Sequence, residues 1–578
     1  MQLHAADFDH INLSAAYTHA ARMCHKGGAP QQLLSQLHEL ALRLQQQCGA
    51  RQLANVIHSC SKLSRPTTAK LLLSVFLQAS LLQHAKPQDL SNVVWAAATL
   101  QLQLTADELQ QLLRRFVAVL PDANPQSVSN TLWAVATMGQ QVPPQQLQLL
   151  LGTFAAVLAD AKPQAVCNTL WAVATMGQQV PPQQLQLLLG RVAAVLPDAN
   201  PQAVSNTLWA VATMGQQVPQ QQLQPLLGRF AAVLADAKPQ AVSNTLWAVA
   251  AMGQKAPRQQ LQQLLGRFVA VLPDATPQEV SNTLWAVATM GQKAPTQQLQ
   301  QLLGRFVAVL PDATPQNVSN TLWAVATMGQ QVPPQQLPMM VAAFENLLLD
   351  AKAQAASNLL WACGKMQYAP LPLLQSLQQQ RRQLLQQLLA AAKPQELANM
   401  AWACGQLGYR GQLLPGELLQ QAVKLLQNGG TGSFTLQHLC NLCWSAAVLD
   451  LQQCDSQECV HQVLQLAAAA SQLFSTASDE ELQQLQQLHQ VHLWLLDKQL
   501  PAPALGLSGV LTPHQLEQSR DSWEQQQTVR AKQQSSRLQQ SVYDAVLQLP
   551  CDTWQHQPQS EQPTADKACL MDIAAVTA

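Results

Sequence analysis

Apolar positions recur along this chain with the spacing of a helix, and the whole pattern then recurs as a block. In the copy that starts at Pro125, Val128, Leu132, Val135 and Ala136 fall at i, i+4, i+7 and i+8, one apolar helix face. Asn124 precedes it as an N-cap residue, and Pro125 takes the first helical position, where its missing N–H costs nothing. Gly139 ends the helix, because glycine accepts the left-handed conformation of a helix stop. Pro143 and Pro144 mark a turn. A second helix follows, with Leu147, Leu150, Leu151, Phe154, Val157 and Leu158 on its inner side, ending near Asp160 before Pro163 restarts the cycle. No stretch alternates with period two for long enough to predict a strand.

The block is 38 residues long and carries one tryptophan per copy, at Trp95, Trp133, Trp171, Trp209, Trp247, Trp285, Trp323 and Trp361, with looser copies at Trp402 and Trp444. A fixed period of this size is the signature of a solenoid, in which one hairpin cannot bury its apolar face and neighbouring copies supply the core. The predicted fold is all-α: a right-handed-type α-solenoid of about ten to eleven helical hairpins with a helical C-terminal tail.

The domain organisation follows. Residues 1–85 hold two degenerate repeats, INLSAAYTHAARM and LANVIHSCSKL, the second keeping Asn55 but placing His58 where tryptophan stands elsewhere. Residues 86–352 are the regular array, and 353–450 hold three divergent repeats, the last after an NGGTGS turn. Residues 451–500 predict a helical pair, 501–513 a Pro/Gly linker, and 514–578 a helical segment leading into a further domain.

Asparagine stands three residues before tryptophan in each copy, from Asn92, Asn130 and Asn168 to Asn441. A buried amide is usually satisfied internally, so these predict a structural ladder paired with backbone of the adjacent repeat. The tryptophans, beside Leu on the first helix, are expected as core wedges rather than base-stacking platforms. Of twelve cysteines, Cys167 and Cys440 replace the repeat's Ser, and Cys363 and Cys404 replace its Val, so they read as small core residues. Cys440 and Cys443 form a CxxC with Cys454 and Cys459 downstream, but repeat position already accounts for the first pair, and no metal site is expected.

Only 11% of residues are charged and the formal net charge is zero, while glutamine fills the surface positions and reads as a solvated helix face. No apolar run approaches the length of a membrane span, so neither membrane nor lipid partner is expected. The N-terminus shows no recognisable transit or signal segment. NGGTGS lacks the Lys-Ser/Thr of a phosphate loop, GLSG is not a nucleophile elbow, and no HExxH occurs. No catalytic residues, cofactor or small-molecule substrate are expected. The recurrent turn aspartate (Asp122, Asp160, Asp198, Asp236, Asp274, Asp312) favours the positive end of the next helix.

Function is expected where nearly identical copies differ. The residue before the repeat's Pro varies: Lys86, Asn124, Lys162, Asn200, Lys238, Thr276, Thr314, Lys352, Lys393. So does the third residue of the repeat: Asp89, Ser127, Ala165, Ala203, Ala241, Glu279, Asn317, Ala355, Glu396. Each pair lies three apart at the start of the first helix and could offer adjustable hydrogen-bonding groups to one base per repeat; neutral drift at solvated caps explains it equally. Arg115, Arg191, Arg229, Arg267 and Arg305 recur in register on the second helix and could follow phosphates, or could pair with the turn aspartates. Zero net charge speaks against nucleic acid, although residues 201–276 carry Arg229, Lys238, Lys255, Arg258 and Arg267 against Asp236 and Asp274.

The 38-residue hairpin with SNTLWAVATMG resembles the octotricopeptide repeats of green-algal organelle proteins. SDEELQQLQQLHQVHLWLL, SRDSWEQQ, SSRLQQSVYDAVLQLP and LMDIAAVTA resemble the region leading into a RAP domain, as in FAST-kinase-like proteins. The resemblance implies an organellar protein, chloroplast rather than mitochondrion, that binds single-stranded RNA along its groove to support RNA processing, stability or translation, with other RNA-maturation proteins as further partners. It also implies about one nucleotide per repeat, hence roughly ten. The family pattern continues past a segment like MDIAAVT into a strand and an EVDGPxH-like motif; the sequence ends at Ala578, so a truncated RAP-like domain is expected, with Asp572 as its opening acidic residue and without nuclease activity. The alternative from the same residues is an α-solenoid scaffold for protein–protein interaction, motivated by the neutral, glutamine-rich surface.

Overall fold

The computed structural model describes residues 8–24, 30–178, 180–215, 220–254, 256–411, 414–451, 456–497, 506–534, 559–563 and 570–574. The chain divides into two compact units, Met1–Met290 and Gly291–Ala578, each a stack of helical hairpins, with one short β-hairpin near the end of the second.

In the first unit the first helices of the regular repeats are Pro87–Thr99, Pro125–Thr137, Pro163–Thr175, Pro201–Thr213, Pro239–Ala251 and Pro277–Thr289. Between them run the second helices Ala106–Ala118, Pro144–Ala156, Pro182–Val195, Gln220–Ala232 and Arg258–Ala270. The period-3.6 apolar faces are the reason: Val128, Leu132 and Val135 are each 0% exposed, and from the second helix Leu150 and Phe154 are also 0% exposed. A tight 3-10 turn such as Leu158–Asp160 closes each repeat. Gly139 stops its helix at φ 67°, a conformation that costs a side-chain-bearing residue about 1 kcal/mol or more.

Two layers result. Each first helix packs along the first helices before and after it, while successive second helices touch sparsely. Alanines make the close approach in the inner layer: Ala134, Ala172, Ala210 and Ala248 are each 0% exposed. The degenerate repeats belong to the same stack, with His10–Cys24 and Ala50–Lys62 as first helices.

The second unit continues the pattern with first helices Pro315–Thr327, Ala353–Lys365, Pro394–Gln406 and Leu436–Leu449. Here glycine replaces alanine where rings crowd the helix. A Cβ on Gly405 would lie 2.7 Å from the Trp444 ring, and one on Gly364 would lie 3.2 Å from the Trp402 ring. Helix Gln486–Asp497 packs on Leu436–Leu449, and helix Pro513–Gln534 packs on Gln486–Asp497.

Two features differ from the sequence reading. The latter part of the expected linker is packed: Leu507 is 0% and Leu511 3% exposed, and the Leu507 N–H donates to His492 Nδ1 at 2.9 Å. The C-terminal stretch is not wholly helical, because Gln559–Pro563 and Leu570–Ala574 form an antiparallel hairpin with Gln559 opposite Ala574 and Pro563 opposite Leu570. Neither QSEQP nor LMDIA alternates apolar with polar residues, so the period-two signal of a strand is missing from both.

Candidate ligand-binding stripe

The inner layer of each unit is assembled from first helices, and nearly every position on those helices is buried. The exceptions form a single line. In Pro125–Thr137, Gln126 and Thr137 are exposed, and Asn130 and Trp133 are half-buried. These positions are i, i+4, i+7 and i+11, one stripe on a 3.6-residue helix. The same exposure recurs at Asn168–Trp171, Asn244–Trp247 and Asn282–Trp285, each flanked by an exposed Gln, with an exposed Thr or Ala at the far end.

The tryptophans are therefore not core wedges. Trp95, Trp133, Trp171, Trp209, Trp247 and Trp285 are half-buried and touch one another in a row, ring centroids 6.2, 6.3, 6.1, 6.1 and 6.2 Å apart. Their planes tilt by 29–35° at these separations, so a planar group cannot slip between them. Among the described residues these six indole N–H groups donate to no protein acceptor, yet none is a buried orphan.

The asparagines depart from expectation in the same way. Among the described residues Asn92, Asn130, Asn168, Asn206, Asn244 and Asn282 make no side-chain hydrogen bond to the adjacent repeat; all are half-buried except Asn206, which is 9% exposed. An Asn amide offers two donors and an acceptor, and an indole one donor. Each rung of the stripe thus presents unspent hydrogen-bonding capacity beside a half-buried indole.

At the N-terminal end of the first unit the row closes on His58, whose ring lies 4.9 Å from that of Trp95. Burial, with Lys62 nearby, pulls the His58 pKa down to about 4. In the second unit Trp361 lies 6.3 Å from Trp323 and 6.2 Å from Trp402, and Lys365 stands where other repeats have Thr, its Nζ 5.6 Å from the Trp361 ring and 5.1 Å from the Trp402 ring. Asn320 there accepts from Gln316 Nε2 at 2.7 Å.

The variable pairs chosen from the sequence are helix caps. Asn124 Oδ1 accepts from Ser127 N–H at 2.8 Å, and Asn200 Oδ1 from Ala203 N–H at 2.9 Å. The reverse bond, from the first residue's N–H to the second's side chain, forms at Lys86–Asp89 (3.0 Å), Thr276–Glu279 (2.7 Å), Thr314–Asn317 (3.0 Å) and Lys393–Glu396 (2.9 Å). Lys162, Lys238 and Lys352 are exposed and make no side-chain cap, with buried Ala165, Ala241 and Ala355 at the partner position. The first member of each pair is thus open to solvent, whereas the second is turned into the helix start. The plainer reading of these positions, helix capping, is what this geometry displays.

The arginine row also has an internal job. Arg115, Arg191, Arg229 and Arg267 donate to the carbonyls of Ala85, Ala161, Ala199 and Ala237, each thirty residues back, at 3.0–3.3 Å. Each guanidinium staples its second helix to the residue preceding the N-cap of its own repeat's first helix. Arg305, in the same register, is likewise engaged. The turn aspartates are not their partners.

The cysteines are interior. Cys167 is 2% exposed and accepts from Thr207 Oγ1 at 3.0 Å; burial raises the thiol pKa to about 11 there and to about 12 at Cys363, Cys404 and Cys443. Such thiols stay protonated and poorly nucleophilic. Cys454 lies outside the described residues. Among the described residues no cluster of three or more His, Cys, Asp or Glu could hold a metal ion, and no helix is long and apolar enough to cross a membrane.

No protein-family model matches the chain, and no curated protein matches it. Among solved structures it is similar to a homology model of the full-length AP-3 complex in an intermediate open conformation (11% identity, 89% of this chain and 93% of that one, TM-score 0.28). It is also similar to Kap121p bound to Ste12p (13% identity, 90% and 57% coverage, TM-score 0.25) and to Kap121p bound to Nup53p (12% identity, 98% and 62% coverage, TM-score 0.25). The chain spans less than two thirds of those Kap121p chains. Likenesses at this level carry no argument about function, which rests on the stripe itself.

Proposed function

We propose that this chain binds single-stranded RNA along the inner stripe and supports processing, stability or translation of organellar transcripts, in the manner its octotricopeptide-like repeats imply, in the chloroplast rather than the mitochondrion. The observation that carries the reading is the row of Asn–Trp rungs in the first unit, whose amides and indole N–H groups are open and spent on nothing inside the protein. Splayed bases are recognised through the hydrogen-bonding edges that single strands expose, together with aromatic contact. Exposed Lys86, Lys162 and Lys238 stand at the positive N-terminal ends of the same first helices, where a phosphate is favoured. RNA-maturation proteins would be further partners, and the chain would protect or refold RNA rather than cut it.

A second reading has its own support. Gln, Asn, Trp and Thr leave the stripe of the first unit uncharged, which also suits an extended polypeptide whose backbone alternates N–H and C=O. Salt separates the two. Titrating fluorescent oligouridine into the full chain across a salt series should give binding that falls steeply with salt, and Lys162→Glu, Lys238→Glu and Lys352→Glu together should weaken it and flatten the slope. Absence of oligouridine binding at low salt, with capture of a protein segment insensitive to salt, would overturn the RNA reading in favour of the scaffold.

A further inference from the structure

In the second unit the last rung of the stripe is not open. Helix Gln486–Asp497 lies against Leu436–Leu449, and Gln487 and Gln490, one helical turn apart on one face, reach the rung. The Gln487 amide donates to Asn441 Oδ1 at 3.0 Å, and the Trp444 indole N–H donates to Gln490 Oε1. Gln487 is 7% exposed, so the contact is sealed. Asn441 and Trp444 stand in the repeat positions held by Asn399 and Trp402 one copy earlier, and among the described residues that earlier pair makes no side-chain hydrogen bond in the protein.

We infer that Gln487 and Gln490 are an end-stop: they fill the Asn441–Trp444 rung with the chain's own amides, so that a strand bound along the stripe of the second unit ends at Asn399–Trp402. The chemistry is that of substitution. One amide supplies the donor that Asn Oδ1 accepts, and the other supplies the acceptor that the indole N–H requires. A base edge carries a donor and an acceptor side by side, the same complement. A rung already so satisfied gains nothing from a base, since binding there would only exchange one pair of hydrogen bonds for another. This inference rests on the RNA reading.

The test is a nuclease-protection footprint of the full chain on a long oligouridine, comparing wild type with Q487A/Q490A. Opening the rung should lengthen the protected fragment by one nucleotide at one end and tighten binding about fivefold for an oligonucleotide of the longer length. A footprint unchanged in length overturns the end-stop. N399A serves as the second variant, since it touches no internal hydrogen bond and does not depend on repacking of the terminal helix. It should shorten the footprint by one nucleotide at that same end, and protection unchanged by N399A also overturns the inference. If wild type protects no fragment at all, the RNA reading fails, and the end-stop fails with it.

Discussion

The middle of the first unit and the end of the second are built from the same residues in the same register, yet they use them differently. In the first unit the Asn and Trp side chains of successive repeats face outward with their polar atoms unpaired; at Asn441 and Trp444 the same two groups are bonded to Gln487 and Gln490. Had these amides existed to hold the fold together, the regular repeats would show the internal bonds and the irregular one would lack them. The reverse holds. The comparison therefore separates residues that make the solenoid from residues that the solenoid presents. Phe, Leu and Ala make it, Arg fastens it, and Asn and Trp are left over for something else.

Stability measurements on the full chain test this division. The largest effect belongs to the packing. Phe230 is 1% exposed, and Phe230→Ala should lower unfolding free energy by about 3–5 kcal/mol in chemical denaturation, whereas Asn168→Ala on the stripe should stay within about 0.5 kcal/mol. Equal losses would erase the distinction. Next comes the staple. Arg229→Ala deletes the 3.0 Å bond to the Ala199 carbonyl and should cost about 1.5 kcal/mol; a stability unchanged within error would return the arginine row to the ligand side of the comparison. Smaller still are the two glycines of one repeat, which should respond with opposite sign. Gly253 sits at φ 67°, so Gly253→Ala should destabilise by about 1 kcal/mol. Gly266 lies inside a helix with open space around it, so Gly266→Ala should stabilise by about 0.5–1 kcal/mol, both read from the denaturation midpoint.

An effect of another kind, read against pH, is confined to one end. His58, in the tryptophan position, has its pKa lowered to about 4 by burial, from an ordinary value near 6.5. The unfolded chain then binds the proton more readily, so stability contributed here is present above about pH 6.5 and is lost as pH falls toward 4. His58→Trp, which restores the repeat residue, should remove that acid sensitivity from the thermal melting profile. A profile equally acid-sensitive in H58W would assign it to another group.

Much of the fold was legible from the chain. The apolar positions at i, i+4, i+7 and i+8 placed both helices of each hairpin, Asn124 and Pro125 placed a start, and Gly139 placed a stop, because local chemistry dictates each. The open Asn–Trp line was less legible, for two physical reasons. Variation between copies drew attention to the cap positions, but a cap varies freely among residues that satisfy the same N–H, and Asp89, Glu279, Asn317 and Glu396 spend their side chains there. The adjacent Leu of the first helix points to tryptophan as a core wedge. The signal against that assignment was present: Trp133 lies three residues after Asn130 and four before Thr137, on the polar line of the helix rather than on the line of Val128, Leu132 and Val135. The end-stop was not legible at all, since pairing Gln490 with Trp444 spans 46 residues and depends on how a terminal helix docks.

The central claim is that the open amides of the first unit hold the ligand, and one binding titration addresses it directly. The full chain and the variant N130A/N168A/N206A/N244A would each be titrated with fluorescent oligouridine at low salt, with unfolding free energy measured in parallel. Stability should stay unchanged within about 1 kcal/mol and affinity should fall by at least about a hundredfold, since four rungs each lose a hydrogen bond to the ligand. Undiminished affinity in a variant that folds as well as wild type would contradict it.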